Sequence, residues 1–386
     1  MIKKLNLTLL VFILFITIVV VPVQAESFNL NVKSSILIEA ETGQVLYEEN
    51  ADEKLPPASI TKIMALLIAM EKIEKGALSL EDEVTVSQYA ESMGGSQIYL
   101  PANVRVKVKD LLEAVTIASA NDASVAIAEA IAGSYSGFID MMNERAKELG
   151  MNNTHFMNST GLPEKNHYST ARDISIMARE LVKYKQVLKW ASTWVDYIKL
   201  PERKAMLANT NRLLNKYSGL DGLKTGHTDA AGFCLTATAK RDQMRLVSVV
   251  LKAETRKERQ EITTKLLDYG FNYFSKKTVV NKGEKIQNIE IPQGKKTTTV
   301  GKTIDDLKVM IKRGQGDNAT SKIIIKDSLQ APIKKGEVLG QKVVSQNQKQ
   351  VGTVNIVATE AIDRANLLVR IWRGFVNWIG SWLQNI

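Results

Sequence analysis

The sequence is poor in the residues that build metal and disulfide sites. Its single cysteine, Cys234, excludes an intrachain disulfide framework and a cysteine-built zinc or iron–sulfur centre. Three histidines, His155, His167 and His227, leave little room for a histidine metal cluster, and no metal or cofactor is expected. Eight prolines and no glycine period exclude a collagen-like fibre. With 45% hydrophobic and 24% charged residues the chain is not disordered throughout. Its net charge of +10 over 386 residues is a mild basic balance and a poor argument for nucleic acid. At roughly 150 residues per domain, the length suggests two or three domains.

The first segment reads as an address. Lys3 and Lys4 precede an apolar run from Leu9 to Val21, then Pro22 and Val23-Gln24-Ala25. A basic start, an apolar stretch and a small residue closing the site make a secretory signal over residues 1–25, with an uncleaved anchor as the alternative. Either way the remainder is exported. A basic exported protein suits anionic lipid and anionic wall polymers.

Residues 26–275 read as an α+β unit. Ser35–Glu39 and Gln44–Tyr47 flank the turn Glu41-Thr42-Gly43, which is a hairpin pattern. After Pro56 and Pro57, a segment apolar nearly all round (Ile63 to Ile73) predicts a buried helix closed by Gly76. Helices are expected at Val108–Ser119, from an Asp122 N-cap through Ala132, and at Gly137–Leu149, Ala171–Tyr184 and Arg256–Phe274. The period changes to two in Leu220–Thr225, Phe233–Ala239 and Met244–Lys252, which predicts adjacent antiparallel strands. Cys234 falls on the middle one and reads as core. Residues 276–360 are rich in Lys, Thr, Val and Ile, with recurring glycine turns, and read as a small all-β domain.

Residues 361–386 read as an amphipathic helix. Asn366, Arg370, Arg373, Asn377, Ser381 and Gln384 form one face; Leu368, Ile371, Trp372, Phe375, Ile379, Trp382 and Ile386 form the other. Three of the five tryptophans lie here. Trp and Phe opposite Arg suit the membrane interface, the alternative being packing on the protein itself or a partner.

Three short motifs carry chemistry. Ser59-Ile60-Thr61-Lys62 places a hydroxyl and an amine at i, i+3, on one face of a helix that begins there. The free N–H groups of such a helix start favour negative charge. Ser119-Ala120-Asn121 puts a hydroxyl and an amide in a loop between two helices, and Lys224-Thr225-Gly226 ends a strand. Singly, each is equally a capping serine, a solvated lysine or an exposed strand end. Together they occur in the order of the Ser-x-x-Lys, Ser-x-Asn and Lys-Thr-Gly set of active-site serine enzymes.

On these motifs the sequence resembles the serine D-alanyl-D-alanine carboxypeptidases, the low-molecular-mass penicillin-binding proteins. Pro57-Ala58-Ser59, Asn158-Ser159-Thr160-Gly161-Leu162-Pro163, His167-Tyr168-Ser169 and Gly222-Leu223-Lys224-Thr225-Gly226-His227-Thr228 also look like stretches of that family. The resemblance implies a penicillin-binding/β-lactamase-like transpeptidase fold, an antiparallel sheet flanked by helices, then a small all-β domain and a C-terminal amphipathic helix that anchors the chain to a membrane. It implies a peptidoglycan stem peptide ending in D-Ala-D-Ala as substrate and β-lactams as covalent inhibitors. It implies Ser59 as nucleophile and Lys62 as general base, helped by the charge of Lys224. Ser119 would relay the proton to the leaving D-alanine and Asn121 would position Lys62. Thr225 and the strand of Gly226 would hold the peptide, the backbone N–H groups of Ser59 and His227 would form an oxyanion hole, and Arg259, with Arg256 as a rival, would take the terminal carboxylate. Ala120 at the centre of the second motif departs from the usual aspartate. A β-lactamase, a D,D-endopeptidase and a non-catalytic wall-binding protein are the competing readings; the first needs an extra acid to activate water, and Met151–Pro163 holds none.

Overall fold

The computed structural model describes residue 30 and residues 32–314, 319–346 and 348–384, with 377–384 described as helical backbone. The secretory signal expected over residues 1–25 lies outside the described residues.

A five-stranded antiparallel sheet organises the first part of the chain. Its order is Val45–Glu49, Ser34–Glu39, Met244–Ala253, Gly232–Arg241, Leu220–Thr228. The predicted hairpin and the three predicted strands are all present, and Ser34–Glu39 joins them by pairing with Met244–Ala253. That junction spans some two hundred residues and has no local signature. Helices cover both faces. Val247, Val249 and Leu251 point into a cluster shared with the helices Lys62–Glu74, Val108–Ile117, Asn121–Ala132 and Ala171–Leu181. Leu246 and Leu37 meet Gly270 of the helix Arg256–Tyr273 on the other face. A strand buried on both faces reads as a nearly continuous apolar run, as Leu246–Leu251 does with Ser248 its one polar residue.

Several predicted boundaries move. Asp122 is not an N-cap: the helix starts at Asn121 with Ala120 in the cap position. The Asp122 carboxylate instead accepts N–H bonds from Ile98, Leu100 and Ala123, tying a loop to the helix. The preceding helix ends at Ile117, short of Ser119. The stretch after Ala171 splits into Ala171–Leu181 and Lys185–Ser192. The hairpin Val195–Lys199 with Lys204–Ala208 has no counterpart in the sequence reading.

The helix Arg256–Tyr273 runs directly into the strand Phe274–Val280, which pairs with Leu307–Lys312. A second five-stranded antiparallel sheet follows, in the order Lys285–Glu290, Thr298–Thr303, Lys349–Ala358, Val338–Gln346, Ala319–Ile325. This β-rich part is fastened to the first hairpin. Gln44 accepts from the Met310 N–H at 2.9 Å, and Lys276 reaches Glu39 at 3.0 Å and Glu41 at 2.6 Å.

The helix Leu367–Gln384 closes the chain. Asn366 caps it by accepting from the Val369 N–H. Arg373, on the polar face, donates to the carbonyls of Gly294 and Lys295. Leu368, Ile371 and Trp372 are exposed. No helix among the described residues is long and apolar enough to cross a membrane.

Candidate active site

The two prolines at 56 and 57 hold the chain out of helix, and a 3-10 turn, Ala58–Thr61, then feeds the helix Lys62–Glu74. Ala58 takes a positive φ of 47°, which costs a non-glycine residue energy and needs support from its surroundings. Two glycines supply it by close approach. A Cβ on Gly161, itself at φ +79°, would lie 1.8 Å from the Ala58 carbonyl oxygen; one on Gly226 would lie 3.0 Å from that of Pro57. The edge strand of the sheet and the 158–163 loop therefore press directly on the turn that carries Ser59, and only glycine permits it.

Lys62 is fully buried behind that turn. Its Nζ lies 3.0 Å from Ser59 Oγ, 2.6 Å from Asn121 Oδ1 and 2.6 Å from the Thr160 carbonyl. Asn121 is oriented by its own amide, which donates to Gly94 O at 2.6 Å. No carboxylate among the described residues pairs with Lys62. Burial, and secondarily the charge of Lys224, hold its pKa well below the ordinary lysine value.

Lys224 is also buried. Its amine donates to the Thr225 carbonyl at 3.1 Å, and desolvation with the nearby Arg259 pushes its pKa down to about 7. Thr225 donates through its hydroxyl to Thr210 Oγ1 at 2.7 Å. Arg259 comes from the first turn of its helix, donates to Cys234 O at 3.2 Å and leaves a buried Nε without partner among the described residues. Burial lowers its pKa to about 10. Cys234 is core, its thiol pushed up to about 11 by desolvation. Ser119, at φ +63°, sits in the kink between two helices.

These residues meet at one cleft of about 290 Å³. Ser59, Ser119, Thr225, Gly226, His227 and Arg259 line it; Lys62, Asn121 and Lys224 stand just behind its wall. The His227 ring lies against Phe233 with centroids 4.2 Å apart. The remaining lining residues are Ser96, Thr210, Arg212, Phe233 and Arg256, and none of the eleven is acidic. All nine residues singled out in the sequence are thus placed at or against one cavity.

The sequence reading missed what supports them. The Thr160 carbonyl is positioned by a turn in which Asn158 Oδ1 accepts from the backbone N–H groups of Thr160 and Gly161. The Asn-Ser-Thr-Gly string was the available signal, since Asn in such turns bonds its own backbone. Gly94 had none beyond a Gly-Gly pair. His167, for which the sequence offers no role, is buried between the turn and the loop: its Nδ1 accepts from the Met157 N–H at 3.0 Å and its Nε2 lies 2.8 Å from Thr61 Oγ1. Burial lowers its pKa to about 4.

Residues 21–255 match the family described as D-alanyl-D-alanine carboxypeptidase, and residues 274–364 match the C-terminal domain of penicillin-binding protein 5. The chain is 42% identical over 348 residues to D-alanyl-D-alanine carboxypeptidase DacF of Bacillus subtilis, covering 90% of each. It is 34% identical to DacC of Escherichia coli, covering 93% of this chain and 92% of the relative. Among solved structures, penicillin-binding protein 5 from Haemophilus influenzae superposes with a TM-score of 0.76 at 30% identity, over 86% of this chain and 98% of that one.

Proposed function

The chain belongs to the D-alanyl-D-alanine carboxypeptidase family, and from that premise we propose roles for the residues of its cleft. It is a serine-type carboxypeptidase that removes the terminal D-alanine from peptidoglycan stem peptides and is acylated by β-lactams. The proposed sequence begins with attack by Ser59 Oγ on the carbonyl of the penultimate D-alanine. Lys62 takes the hydroxyl proton. In its neutral form the amine spends two N–H bonds on Asn121 Oδ1 and the Thr160 carbonyl, which leaves its lone pair for Ser59. The negative charge that develops on the carbonyl oxygen falls to the backbone N–H groups of Ser59 and His227. Ser119 passes the proton to the leaving amine. Arg259, whose Nε has no partner among the described residues, takes the terminal carboxylate, and Lys224 with Thr225 holds the peptide along the edge strand. Water then hydrolyses the acyl-enzyme.

The observation that carries this reading is the buried Lys62 amine beside Ser59, with no carboxylate among the described residues in contact with it and with burial and Lys224 outweighing the more distant charge of Asp122. The test is release of D-alanine from a D-Ala-D-Ala peptide by the wild type and by Ser59→Ala; release by both at equal rates contradicts it. A β-lactamase is not favoured, because no residue lining the cleft is acidic, and Glu164 is exposed with its carboxylate accepting from the Lys165 N–H. The chain divides, in this proposal, into signal (1–25), catalytic (26–275), β-rich (276–360) and tail (361–386) segments. The protein acts at the outer face of the cytoplasmic membrane, where the exposed Leu368, Ile371 and Trp372 enter the lipid interface while Arg373 holds the helix to the β-rich part.

A further inference from the structure

Two arginines of the cleft, Arg212 and Arg256, have no part in the steps above, and Arg212 is the one whose place is fixed by its surroundings. Arg212 follows Asn209-Thr210-Asn211, a stretch pinned on both sides by polar contacts. The Asn209 amide donates to the carbonyls of Ala191 at 3.0 Å and Thr193 at 2.8 Å. The Asn211 amide donates to Gly222 O at 3.2 Å, and its Oδ1 accepts from the Leu213 N–H at 3.1 Å. Thr210 accepts from the hydroxyl of Thr225 on the edge strand. The backbone at Arg212 is therefore fixed relative to that strand, while its side chain is exposed and lines the cleft. The guanidinium lies over the Trp194 ring, 5.1 Å from its centroid, which holds it in place without using its hydrogen-bond donors. No carboxylate or carbonyl among the described residues receives those donors.

We propose that Arg212, braced on Trp194, binds a second carboxylate of the substrate, carried by the residue that precedes the two D-alanines. This rests on the carboxypeptidase reading above. The leaving D-alanine has a single carboxylate, and Arg259 takes it. An anion held by Arg212 must then belong to the part of the peptide that stays on Ser59. A rigid fork of donors with no hydrogen-bond partner among the described residues, on a cleft whose lining includes no acid, matches a carboxylate in geometry and charge. The pinned loop means that little ordering remains to be done on binding.

The test uses two peptides ending in D-Ala-D-Ala, identical except that the preceding residue bears a side-chain carboxylate or the corresponding carboxamide. Active enzyme is counted by penicillin labelling, and kcat/KM for D-alanine release is measured for the wild type, Arg212→Gln and Arg212→Lys. The wild type is expected to prefer the carboxylate peptide by about fivefold, the upper range for a solvent-exposed ion pair. The preference lies in KM and shrinks with added salt. Arg212→Gln brings the ratio near one, and Arg212→Lys keeps part of it. Equal rates for the two peptides in the wild type, or a preference that survives in Arg212→Gln, overturns the proposal. If neither peptide is cleaved and Ser59 is not labelled by penicillin, the carboxypeptidase reading itself falls, and this proposal with it.

Discussion

The amine of Lys62 lies 3.0 Å from the hydroxyl of Ser59, fully buried and without a carboxylate partner among the described residues. An ammonium in that place cannot accept a proton, so the pKa of Lys62 decides when Ser59 reacts. Because burial lowers that pKa well below 10.5, acylation by penicillin should rise with pH through the lowered value and level off far short of the ordinary one. Below the lowered pKa, Lys62 is protonated and acylation is lost. Lys62→Arg, which cannot shed its charge near neutrality, is expected to cost about a hundredfold or more in acylation rate. Rates measured across pH on both proteins check this; an arginine variant that acylates normally contradicts it.

The carbonyl of Ala58 fills the space where a Gly161 side chain would begin. Gly161→Ala puts a Cβ 1.8 Å from that oxygen and demands positive φ of an alanine. The expected destabilisation is about 2–4 kcal/mol by urea unfolding. Acylation should fall further than the loss of folded protein explains, because the displaced group is the Ser59 turn. Gly76, at similar φ but with open space around it, is the control: Gly76→Ala costs only backbone strain and leaves acylation as it was.

His167 links stability to acid. Its folded pKa is about 4 against 6.5 for the free side chain, so the unfolded chain takes up the proton first as pH falls. Stability is then lost from about pH 6.5 down to about pH 4, a loss on the order of 3 kcal/mol, and levels off below. Urea unfolding at a series of pH values should show that slope in the wild type and a reduced one in His167→Gln. An unchanged slope in the variant assigns the acid sensitivity to other groups.

The tail is the other separable part. Ile362 bridges to Ile333 and Ala365 is buried, so truncation before Leu367 leaves the β-rich core intact. The truncated protein is expected to keep full D-alanine release and to lose co-sedimentation with vesicles containing anionic lipid. Undiminished sedimentation would place the membrane contact elsewhere.

The chemistry was legible in the sequence because it is written in short range. The three-residue spacing of Ser59 and Lys62 and the run Lys224-Thr225-Gly226 fix both residue type and local geometry. The strands were legible from their period of two, and the buried helix after Pro57 from its being apolar nearly all round. What was not legible depends on contacts distant in sequence. The pairing of Ser34–Glu39 with Met244–Ala253, the Thr160 carbonyl as an acceptor for Lys62, and Gly94 as the partner of Asn121 are all backbone relationships between remote segments. Asp122 misled for a related reason: an aspartate at a helix start reads as a cap, and here its carboxylate serves the loop at Ile98 and Leu100 instead.

The most direct test of the central claim is mass spectrometry of the protein after brief exposure to penicillin, in the wild type and in Ser59→Ala. The expected result is one covalent adduct on the peptide containing Ser59 and none in the variant, which should remain folded by circular dichroism. An adduct of equal yield in the folded variant, or one mapped to another residue in the wild type, would contradict the assignment of Ser59 as nucleophile.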